Sequence, residues 1–476
     1  MFVACGRNRK YYMIRELSEN IHRKSFKHCH GNSGLALFTD FYELTMMQAY
    51  FKENMTEDAV FSLFVRRLPA RRNFLISCGL DTVLEYLENI CFYDDDIAYL
   101  ASIGKFSDRF LSSLRDFRFT GDIYAVPEGT PIFANEPLME VVAPIAQAQI
   151  IETLIMNQVH LQTLIASKAY RVVTAAEGRT VLDFGSRRMH GIDAALKAAR
   201  SFYITGVTAT SNVLAGKKYG VPVTGTMAHS YIQAHDDEAG AYQSFVQHYP
   251  DTVLLVDTYD TIAGVQKVID LAKMLDGNFK VKALRLDSGN LYKLSKKVRQ
   301  MLDTAGLSKV EIFASGGLDE DSIAKLVSSG APIDGFGVGT SMGVSNDAPD
   351  LDIVYKLCLY AGKGRLKLST GKPVLPGRKQ VFRISEGEQD VYDIIACADE
   401  NYKGRPLLIP VMKNGTRLPE SKIDLKTIHN YTNSQIARLP AKIRAIDKTD
   451  SPYPVDVSVA LSEYQKRVKE QAADKV

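Results

Sequence analysis

One histidine, His229, stands in the run GTMAHS at residues 225–230, directly after a short β-prone run at 221–224. An imidazole titrates near neutral pH, so it can act as an acid, a base or a nucleophile when a substrate has room beside it. The small and hydroxyl-bearing neighbours of His229 leave that room. A lone histidine can also simply cap the end of a strand, so the chemistry of His229 depends on what the fold brings to it.

Strand-like runs recur between residues 180 and 345, and most of them end in charged or glycine-rich residues. They alternate with helix-like segments at intervals of roughly 20 to 30 residues, a spacing typical of βα units with parallel strands. No GxGxxG motif follows the first run, which favours an irregular β/α barrel with its site at the strand carboxyl ends over an open doubly wound sheet. The predicted strands are residues 180–184, 202–205, 222–226, 252–257, 281–287, 310–315 and 335–339.

Three of these strand ends carry side chains suited to binding and catalysis. The first carries Phe184 and Arg187, and a guanidinium suits planar carboxylates and phosphates, although an arginine here can also be merely solvated. The fourth carries Asp257, which can orient a histidine or hold a hydroxyl. The fifth carries Arg285 and Asp287, which lie on the same side of the strand because side chains alternate. Asp287 at this position can bind the hydroxyls of a ribose.

The last two predicted strands end in glycine-rich runs. Backbone N–H groups at such ends, together with a helix N-terminus, bind phosphate, and glycine lets the main chain approach the anion. Two adjacent glycine-rich ends late in a barrel are typical of its phosphate site, whereas a single such run is often just a turn. The candidate phosphate-binding residues are Ser315, Gly316, Gly317, Gly339 and Thr340.

Composition limits the class of protein. At 476 residues the chain exceeds one ordinary core, so two domains are expected. Hydrophobic residues at 46% and charged residues at 24% fit a folded, water-soluble protein. A net charge of +3 is too small to indicate nucleic-acid binding, and no apolar run reaches the ~18 residues of a membrane span. The six cysteines form no CxxC pair, which predicts reduced thiols and a cytoplasmic location.

Residues 1–33 differ from the rest of the chain. They hold seven Lys or Arg residues against two Glu residues and lack the apolar core of a secretion signal. The run His28-Cys29-His30 has side chains that bind metals, but no second ligand pair at a familiar spacing supports it, and we assign no metal site. We predict a poorly ordered basic extension without a role in chemistry.

Residues 34–145 mix strand and helix patterns and predict an α+β domain. The run at 37–50 predicts a helix that begins at Thr39 or Asp40, either of which is a good N-cap. A Pro- and Gly-containing turn predicts a β-hairpin over 122–133. A long amphipathic pattern over 146–174 then predicts a helix that leads into the second domain.

In their order along the chain, the motifs resemble those of the nicotinate phosphoribosyltransferases, enzymes that join nicotinic acid to phosphoribosyl pyrophosphate in NAD salvage. The resemblance covers residues 35–445. It implies that a segment over 355–445, which follows the barrel domain over 146–354, packs back on the first domain and makes it discontinuous. Outside the resemblance, an amphipathic charged pattern predicts a helical tail over 446–476. The motifs are TDFYELT at 39–45, DFGSRR at 183–188, GTMAHS at 225–230, RLDSG at 285–289 and LPGRKQ at 375–380.

The same resemblance implies how the pyridine substrate binds. The ring stacks between Phe184 and Tyr42, with Tyr42 supplied by the other subunit of a homodimer that shares its active sites. Arg285 holds the carboxylate, with Thr226 nearby. Arg187 serves either this substrate or the diphosphate.

The resemblance also implies the roles of the groups around the second substrate. Asp287 binds the ribose, Mg²⁺ accompanies the diphosphate, and the glycine-rich ends with Thr340 bind the 5′-phosphate. His229 matches the histidine that this family phosphorylates from ATP, its co-substrate. Asp257 matches the acid that orients that histidine.

Nicotinamide is the closest alternative substrate. Nicotinamide enzymes use an aspartate to read the amide N–H, and Asn212 stands at the matching place here, which favours the acid. Quinolinate enzymes need further cations and no phosphorylated histidine. A non-catalytic protein that binds phosphoribosyl ligands on the same fold is an alternative of another class. The joint presence of His229, Asp257, Asp287 and Arg285 argues against it.

Overall fold

The structure is a computed structural model, and it describes residues 35–368 and 374–474. The predicted extension at 1–33, with its His28-Cys29-His30 run, lies outside these residues. No helix in the described part of the chain is long and apolar enough to cross a membrane.

Six parallel strands form the sheet that carries the predicted site residues. Its inner side chains, such as Leu284, Ile312 and Phe336, are fully buried between the surrounding helices. The sheet ends at two separate edge strands, so it closes only part of a barrel, which confirms the irregular β/α class. Across the sheet the strands are Ala209–Thr210, Thr180–Asp183, Gly335–Val338, Glu311–Ala314, Ala283–Leu286 and Val253–Leu255.

Several helices start within a few residues of a strand end, where a polar side chain caps them. Asp260 accepts a hydrogen bond from the backbone N–H of Ala263 at 2.7 Å, and Asp319 forms a capping box with Ser322. Short connections of this kind leave the strand ends exposed to one common space. The helices of this part are Ile192–Ile204, Val213–Tyr219, His229–Gln233, Glu238–His248, Thr261–Leu275, Leu291–Thr304, Glu320–Ser328 and Thr340–Val344.

Two predicted strands of this sheet are wrong. Residues 202–205 belong to the end of the helix Ile192–Ile204, where Phe202 is buried against the core. Residues 222–226 make only one isolated parallel bridge, between Thr210 and Val223, because this segment lies at the sheet edge and Pro222 has no N–H to donate.

A seven-stranded antiparallel sheet lies in the first part of the chain, and later strands complete it. The strand Ile353–Tyr360 pairs with Asp58–Val65, so the chain returns to this sheet after the parallel one. The domain boundaries themselves stay predictions. Across the sheet the strands are Lys363–Gly364, Ile353–Tyr360, Asp58–Val65, Pro137–Pro144, Asp122–Ala125, Ile409–Lys413 and Thr416–Arg417.

The predicted hairpin over 122–133 is wrong. Its first half pairs with Pro137–Pro144, whereas Pro131–Ile132 pairs with Leu75–Ile76 in a separate two-stranded sheet. The reason is that residues 126–130 form a loop that carries the chain from one sheet to the other. A four-stranded sheet completes the fold with Arg405–Pro406, Lys379–Glu386, Gln389–Cys397 and Val455–Val457.

Helices cover these sheets and connect them to the parallel one. The first predicted helix begins after Asp40, and the predicted helix over 146–174 is interrupted at Ile151. The α-helices are Phe41–Lys52, Leu80–Asn89, Asp94–Ser102, Asp108–Ser113, Ile145–Ile150, Glu152–Ala175, Leu425–Ala437, Ala441–Arg444 and Val459–Ala473. The 3₁₀ helices are Leu114–Asp116, Ser186–Arg188, Asp276–Asn278 and Pro419–Ser421.

Candidate active site

His229 begins the short helix His229–Gln233 beside the parallel sheet. Its Nδ1 atom lies 3.3 Å from the Thr258 hydroxyl, and its Nε2 atom lies 3.8 Å from Asp287 Oδ2. The side chain is 40% exposed, so a ligand can reach the ring. An imidazole between a hydroxyl and a carboxylate is placed to move a proton or to accept a phosphoryl group.

Asp257 does not hold His229, contrary to the expectation from the resemblance. Its Oδ2 atom accepts hydrogen bonds from the backbone N–H of Asp287 at 3.1 Å and from the Ser288 hydroxyl at 2.5 Å. Its Oδ1 atom is buried without a hydrogen-bond partner. The reason is that the end of one strand lies beside the end of the next, so Asp257 reaches the neighbouring backbone while Thr258 reaches the imidazole.

Ser315 also differs from its predicted role in phosphate binding. Its hydroxyl donates to Asp287 Oδ1, and its backbone N–H donates to the carbonyl of Leu286 at 2.8 Å. Both donors of this buried residue are used within the sheet, because Ser315 continues the parallel hydrogen-bond ladder past its strand. Ser315 therefore orients the Asp287 carboxylate, the same group that faces His229.

The two glycine-rich ends lie side by side, because their strands are paired. Gly316 and Gly317 have φ angles of +92° and +67°, and a Cβ at Gly316 would lie 1.9 Å from the carbonyl oxygen of Asp287. Gly317 is exposed, with open space where a Cβ would stand. Gly339 precedes the exposed Thr340, which starts a short helix. This part of the predicted phosphate site is thus assembled and open.

Phe184 and Arg285 meet across the sheet. The Phe184 ring lies over Gly337, where a Cβ would come within 2.4 Å of a ring carbon. The guanidinium carbon of Arg285 lies 5.8 Å from the ring centre, and its Nη1 atom donates to the Thr226 hydroxyl. The structure therefore brings Phe184, Thr226 and Arg285 together, as predicted from the sequence.

Arg285 retains an unused donor. Its Nε atom is buried without a hydrogen-bond partner. Burial lowers the pKa of this guanidinium, and the nearby positive charge of Arg187 acts in the same direction, while Asp287 and Asp257 oppose them. The side chain as a whole is partly exposed, and a guanidinium of this kind suits a ligand carboxylate. Arg187 itself is exposed in the 3₁₀ turn after Phe184.

Asn212 caps a helix, a role that the sequence interpretation did not include. Its side-chain oxygen accepts a hydrogen bond from the backbone N–H of Ala215 at 3.1 Å, at the start of Val213–Tyr219. The backbone N–H of Asn212 donates to the Thr210 hydroxyl at 3.0 Å. Since Asp caps helices as well as Asn does, a carboxylate at 212 would keep the cap.

Tyr42 lies apart from these residues, on the helix Phe41–Lys52 of the first part of the chain. Its side chain is 46% exposed. Burial and the nearby carboxylates of Glu152 and Glu43 raise the pKa of its hydroxyl above the usual range. Within one chain, Tyr42 thus neighbours an acidic group rather than Phe184, and its place in a partner's site stays a prediction.

Several residues in this region escaped the sequence interpretation. Asp183 is fully buried, and its carboxylate accepts from the Gly185 backbone at 2.8 Å and from the Thr210 hydroxyl at 2.6 Å. Burial raises the pKa of this carboxyl. Asp183 therefore shapes the turn that presents Phe184. Its position at a predicted strand end was a usable signal, whereas Thr258 and Ser288 gave none beyond lying next to an aspartate.

The described residues, 35–368 and 374–474, contain no group of three or more His, Cys, Asp or Glu side chains that could hold a metal ion by itself. Asp257 nevertheless has a buried oxygen without a partner, and Asp287 has one oxygen directed towards His229. Carboxylates of this kind fit a Mg²⁺ that takes its other ligands from water and from substrate phosphates.

A histidine beside a carboxylate, an aromatic ring beside an arginine, and two glycine turns lie at the carboxyl edge of one parallel sheet. Fold and site together define a barrel enzyme for a planar acid and a phosphate-bearing substrate. Comparison of the chain with protein-family models identifies this class of enzyme. Residues 37–160 match the nicotinate phosphoribosyltransferase N-terminal domain, residues 180–386 match the nicotinate phosphoribosyltransferase family, and residues 397–465 match its C-terminal domain. The chain belongs to the nicotinate phosphoribosyltransferase family.

Individual relatives agree with this assignment. The chain is 53% identical over 423 residues to a nicotinate phosphoribosyltransferase of Mycobacterium tuberculosis, covering 89% of this chain and 91% of that protein. It is 36% identical to the nicotinate phosphoribosyltransferase of Bacillus subtilis, over 90% of this chain and 94% of the other. Human nicotinic acid phosphoribosyltransferase has a similar structure, with a TM-score of 0.81 and 25% identity over 90% of this chain and 99% of that one.

Proposed function

We propose that this chain transfers the phosphoribosyl group of 5-phosphoribosyl 1-diphosphate to nicotinate, giving nicotinate mononucleotide and diphosphate in cytoplasmic NAD salvage. The observation that carries the proposal is the pairing of the Phe184 ring with the Arg285 guanidinium at the end of the parallel sheet. It offers an aromatic face for a flat ring and, beside it, a partly exposed guanidinium that can pair with a carboxylate. Family membership agrees with it.

The ring nitrogen of nicotinate attacks the anomeric carbon of the ribose as the bond to diphosphate breaks. Positive charge develops on the sugar, so an adjacent carboxylate stabilises the transition state. Asp287 is the proposed group, since Ser315 holds one of its oxygens and leaves the other facing the site. The exposed turns at Gly317 and Thr340 bind the 5′-phosphate and hold the ribose in line.

Asp257 and Asp287 are the residues that would hold a Mg²⁺, and the ion would supply positive charge to the diphosphate. Asp257 holds the backbone N–H of Asp287 and the hydroxyl of Ser288 in place, and it keeps one buried oxygen free on that side. Arg187, which is exposed and close enough to Arg285 to lower its pKa, adds positive charge for an anionic substrate.

ATP acts through His229 in this proposal. A nitrogen of the neutral imidazole attacks the γ-phosphorus, an N–P bond forms, and the bond to ADP breaks. Water later releases inorganic phosphate and restores the imidazole. The contact with Thr258 supports one ring nitrogen, and the exposed face of the ring leaves the other accessible. The added negative charge would lie next to the diphosphate and Mg²⁺, which couples ATP to substrate binding and product release.

A homodimer with shared sites is part of the proposal. Phe38, which precedes the helix Phe41–Lys52, and Phe41 and Tyr42 at its start are each more than 40% exposed. Val213 and Val223, at the rim of the site, are 71% and 51% exposed. Apolar groups exposed this far are typical of surfaces that a partner covers, and Tyr42 of the partner subunit would then stack on the substrate ring opposite Phe184.

A cavity lined by positive charges, which Lys356 and Glu152 connect to Tyr42, is consistent with the same arrangement. Its volume is about 270 Å³, and Arg66, Lys356 and Lys367 line it. Lys356 lies close enough to Glu152 to lower the pKa of a carboxyl that burial raises, and Glu152 in turn neighbours Tyr42. If Tyr42 enters the partner's site, these cations accompany it towards the anionic diphosphate.

One experiment tests the proposal. The purified protein is incubated with 5-phosphoribosyl 1-diphosphate and Mg²⁺, with either nicotinate or nicotinamide, and with or without ATP. We expect nicotinate mononucleotide, formed faster with ATP. Formation of nicotinamide mononucleotide at an equal rate would favour the nicotinamide enzyme, and the absence of any mononucleotide would favour a binding protein.

A further inference from the structure

Lys168, in the middle of the helix Glu152–Ala175, joins two carboxylates that come from different segments. Its ammonium lies 2.5 Å from Glu320 Oε2 and 2.7 Å from Asp347 Oδ1. Lys168 and Glu320 are each about 1% exposed, and the side chain of Asp347 is 15% exposed although its backbone faces solvent. The roles proposed above for the active-site residues do not use these groups.

Each of the two carboxylates follows one of the glycine turns. Glu320 is the first residue of the helix Glu320–Ser328, which starts just after Gly317. Asp347 comes just after the short helix that begins at Thr340. The ammonium of Lys168 therefore links the two segments that follow the turns. Lys168 itself lies on a third segment, the helix Glu152–Ala175.

Two arginines support the same pair of carboxylates. Arg171 Nε donates to Glu320 Oε1 at 2.8 Å, one helical turn from Lys168. Arg72 donates to both oxygens of Asp347, at 2.7 and 3.2 Å. Burial raises the pKa of Asp347, whereas Arg72 and Lys168 lower it more strongly. The pKa of Asp347 therefore lies below its usual value. Three buried cations thus meet two carboxylates.

A buried charge network of this kind is expensive to desolvate and contributes little stability compared with an apolar cluster of the same size. Its defining property is geometric, because ion pairs with several hydrogen bonds fix the positions of their partners. Binding one phosphate with two turns requires that geometry, since a displacement of about 1 Å is enough to cost a large part of the binding or the rate.

We propose that Lys168 is a positioning residue that sets the separation of the turns at Gly316–Gly317 and Gly339–Thr340, and with it the affinity for a 5-phosphate ester of ribose. The inference rests on the proposed function, because that function assigns the 5′-phosphate to these turns. Lys168 does not touch the substrate. It acts through Glu320 and Asp347.

The test replaces Lys168 with a side chain of similar length and no charge, Lys168→Met. Binding of ribose 5-phosphate is measured by calorimetry without turnover, and binding of inorganic diphosphate is measured in parallel. We expect the dissociation constant for ribose 5-phosphate to rise about tenfold, while that for diphosphate changes less than about threefold. In turnover, KM for 5-phosphoribosyl 1-diphosphate should rise more than kcat falls.

Lys379→Met is the matched control. Lys379 is also a buried lysine, 4% exposed, and its ammonium lies 3.3 Å from the buried carboxylate of Glu140. It belongs to the antiparallel part of the fold, so its loss should lower stability without a selective loss of ribose 5-phosphate. If Lys168→Met does not fold, Glu320→Gln and Asp347→Asn, which keep side-chain shape, should show the same selective loss.

Equal losses of ribose 5-phosphate and diphosphate affinity in Lys168→Met, matched by Lys379→Met, would overturn the inference. So would a wild-type protein that does not bind ribose 5-phosphate, or variants that bind it unchanged. These outcomes differ from failure of the proposed function, which would appear as wild-type protein that binds ribose 5-phosphate but makes no nicotinate mononucleotide.

Discussion

The guanidinium carbon of Arg285 lies 5.8 Å from the centre of the Phe184 ring. In the sheet, two other strands lie between the strand of Arg285 and the strand that ends just before Phe184. Gly337, on one of the intervening strands, makes this possible, because any side chain there would collide with the ring. The result is an aromatic face with a cation at its edge. A flat ring that bears a carboxylate matches both features.

Substrate choice follows from this relationship. Nicotinate should be preferred over nicotinamide by at least ~100-fold in kcat/KM, about 2.7 kcal/mol, because the guanidinium pairs with a carboxylate and less well with an amide. Asn212→Asp should erode the preference while keeping the helix cap, since Asp also accepts from the Ala215 N–H. Steady-state kinetics with both substrates measures it. Equal use of the two by wild type would contradict the assignment.

We expect Arg285 to be needed for the use of nicotinate and not for folding. Arg285→Lys keeps the charge but loses the planar fork, so we expect kcat/KM for nicotinate to fall by on the order of 100-fold. KM for 5-phosphoribosyl 1-diphosphate should stay within about threefold. Arg299→Lys, on the outer helix Leu291–Thr304, is the control. If only the KM for 5-phosphoribosyl 1-diphosphate changed, Arg285 would bind that substrate and not nicotinate, and the assignment would be wrong.

Shared sites can be tested by mixing two inactive variants. Tyr42→Ala and His229→Ala, each nearly inactive in ATP-coupled synthesis, should recover part of it after subunit exchange, because some mixed dimers carry one intact site. Exchange is verified independently with differently tagged subunits. Complete lack of recovery in verified mixed dimers would show that Tyr42 and His229 serve the same site of one chain.

The role of His229 separates ATP use from transfer. His229→Ala should abolish ATP hydrolysis and its stimulation of synthesis, yet leave slow formation of mononucleotide without ATP, because the transfer needs no nucleophilic histidine. Wild type incubated with γ-labelled ATP should give an acid-labile, base-stable phosphoprotein, and the variant should give none. ATP hydrolysis by the variant in step with synthesis would refute this role.

The neighbours of the imidazole allow a finer test of the same step. Thr258→Val removes the hydroxyl at Nδ1 and should slow phosphorylation more than it slows ATP-independent transfer. Asp257→Asn should instead impair transfer with or without ATP, because Asp257 holds Asp287 and Ser288. Single-turnover labelling and ATP-free synthesis distinguish the two. The opposite pattern would restore Asp257 as the acid that orients His229.

Glu43 should make stability depend on pH. Burial raises the pKa of its carboxyl to about 6, although Thr153 and Thr39 donate to it. The folded state therefore binds this proton more tightly than the unfolded state does, and the free energy of unfolding falls as pH rises from about 4.5 to about 6. The free energy of unfolding of Glu43→Gln, taken relative to that of wild type, should therefore be higher at pH 8 than at pH 5. The difference should be on the order of 1 kcal/mol or less.

Chemical denaturation at the two pH values measures this difference. Glu53→Gln, at the exposed end of the same helix, is the control. The same change in stability at pH 5 and pH 8 for Glu43→Gln would show that Glu43 does not titrate in this range.

Much of the fold and of the candidate site could be read from the sequence, because both depend on local patterns. Alternation of apolar runs with capped helices predicted the parallel strands at 180–184, 281–287, 310–315 and 335–339 and the helix Thr261–Leu275. Parallel strands bring their carboxyl ends to one edge. For that reason Phe184, Arg285 and the glycine turns could be expected together without any knowledge of distances.

Only the tertiary structure decided which partner each polar group takes. Thr258 and Asp287 face His229, Asp257 turns to the neighbouring backbone, and the Ser315 hydroxyl orients Asp287 instead of a phosphate. The same holds for the hairpin that does not form over 122–133. Hydrogen bonds of side chains at a sheet edge depend on sub-ångström offsets between strands far apart in sequence, and no local pattern encodes those offsets.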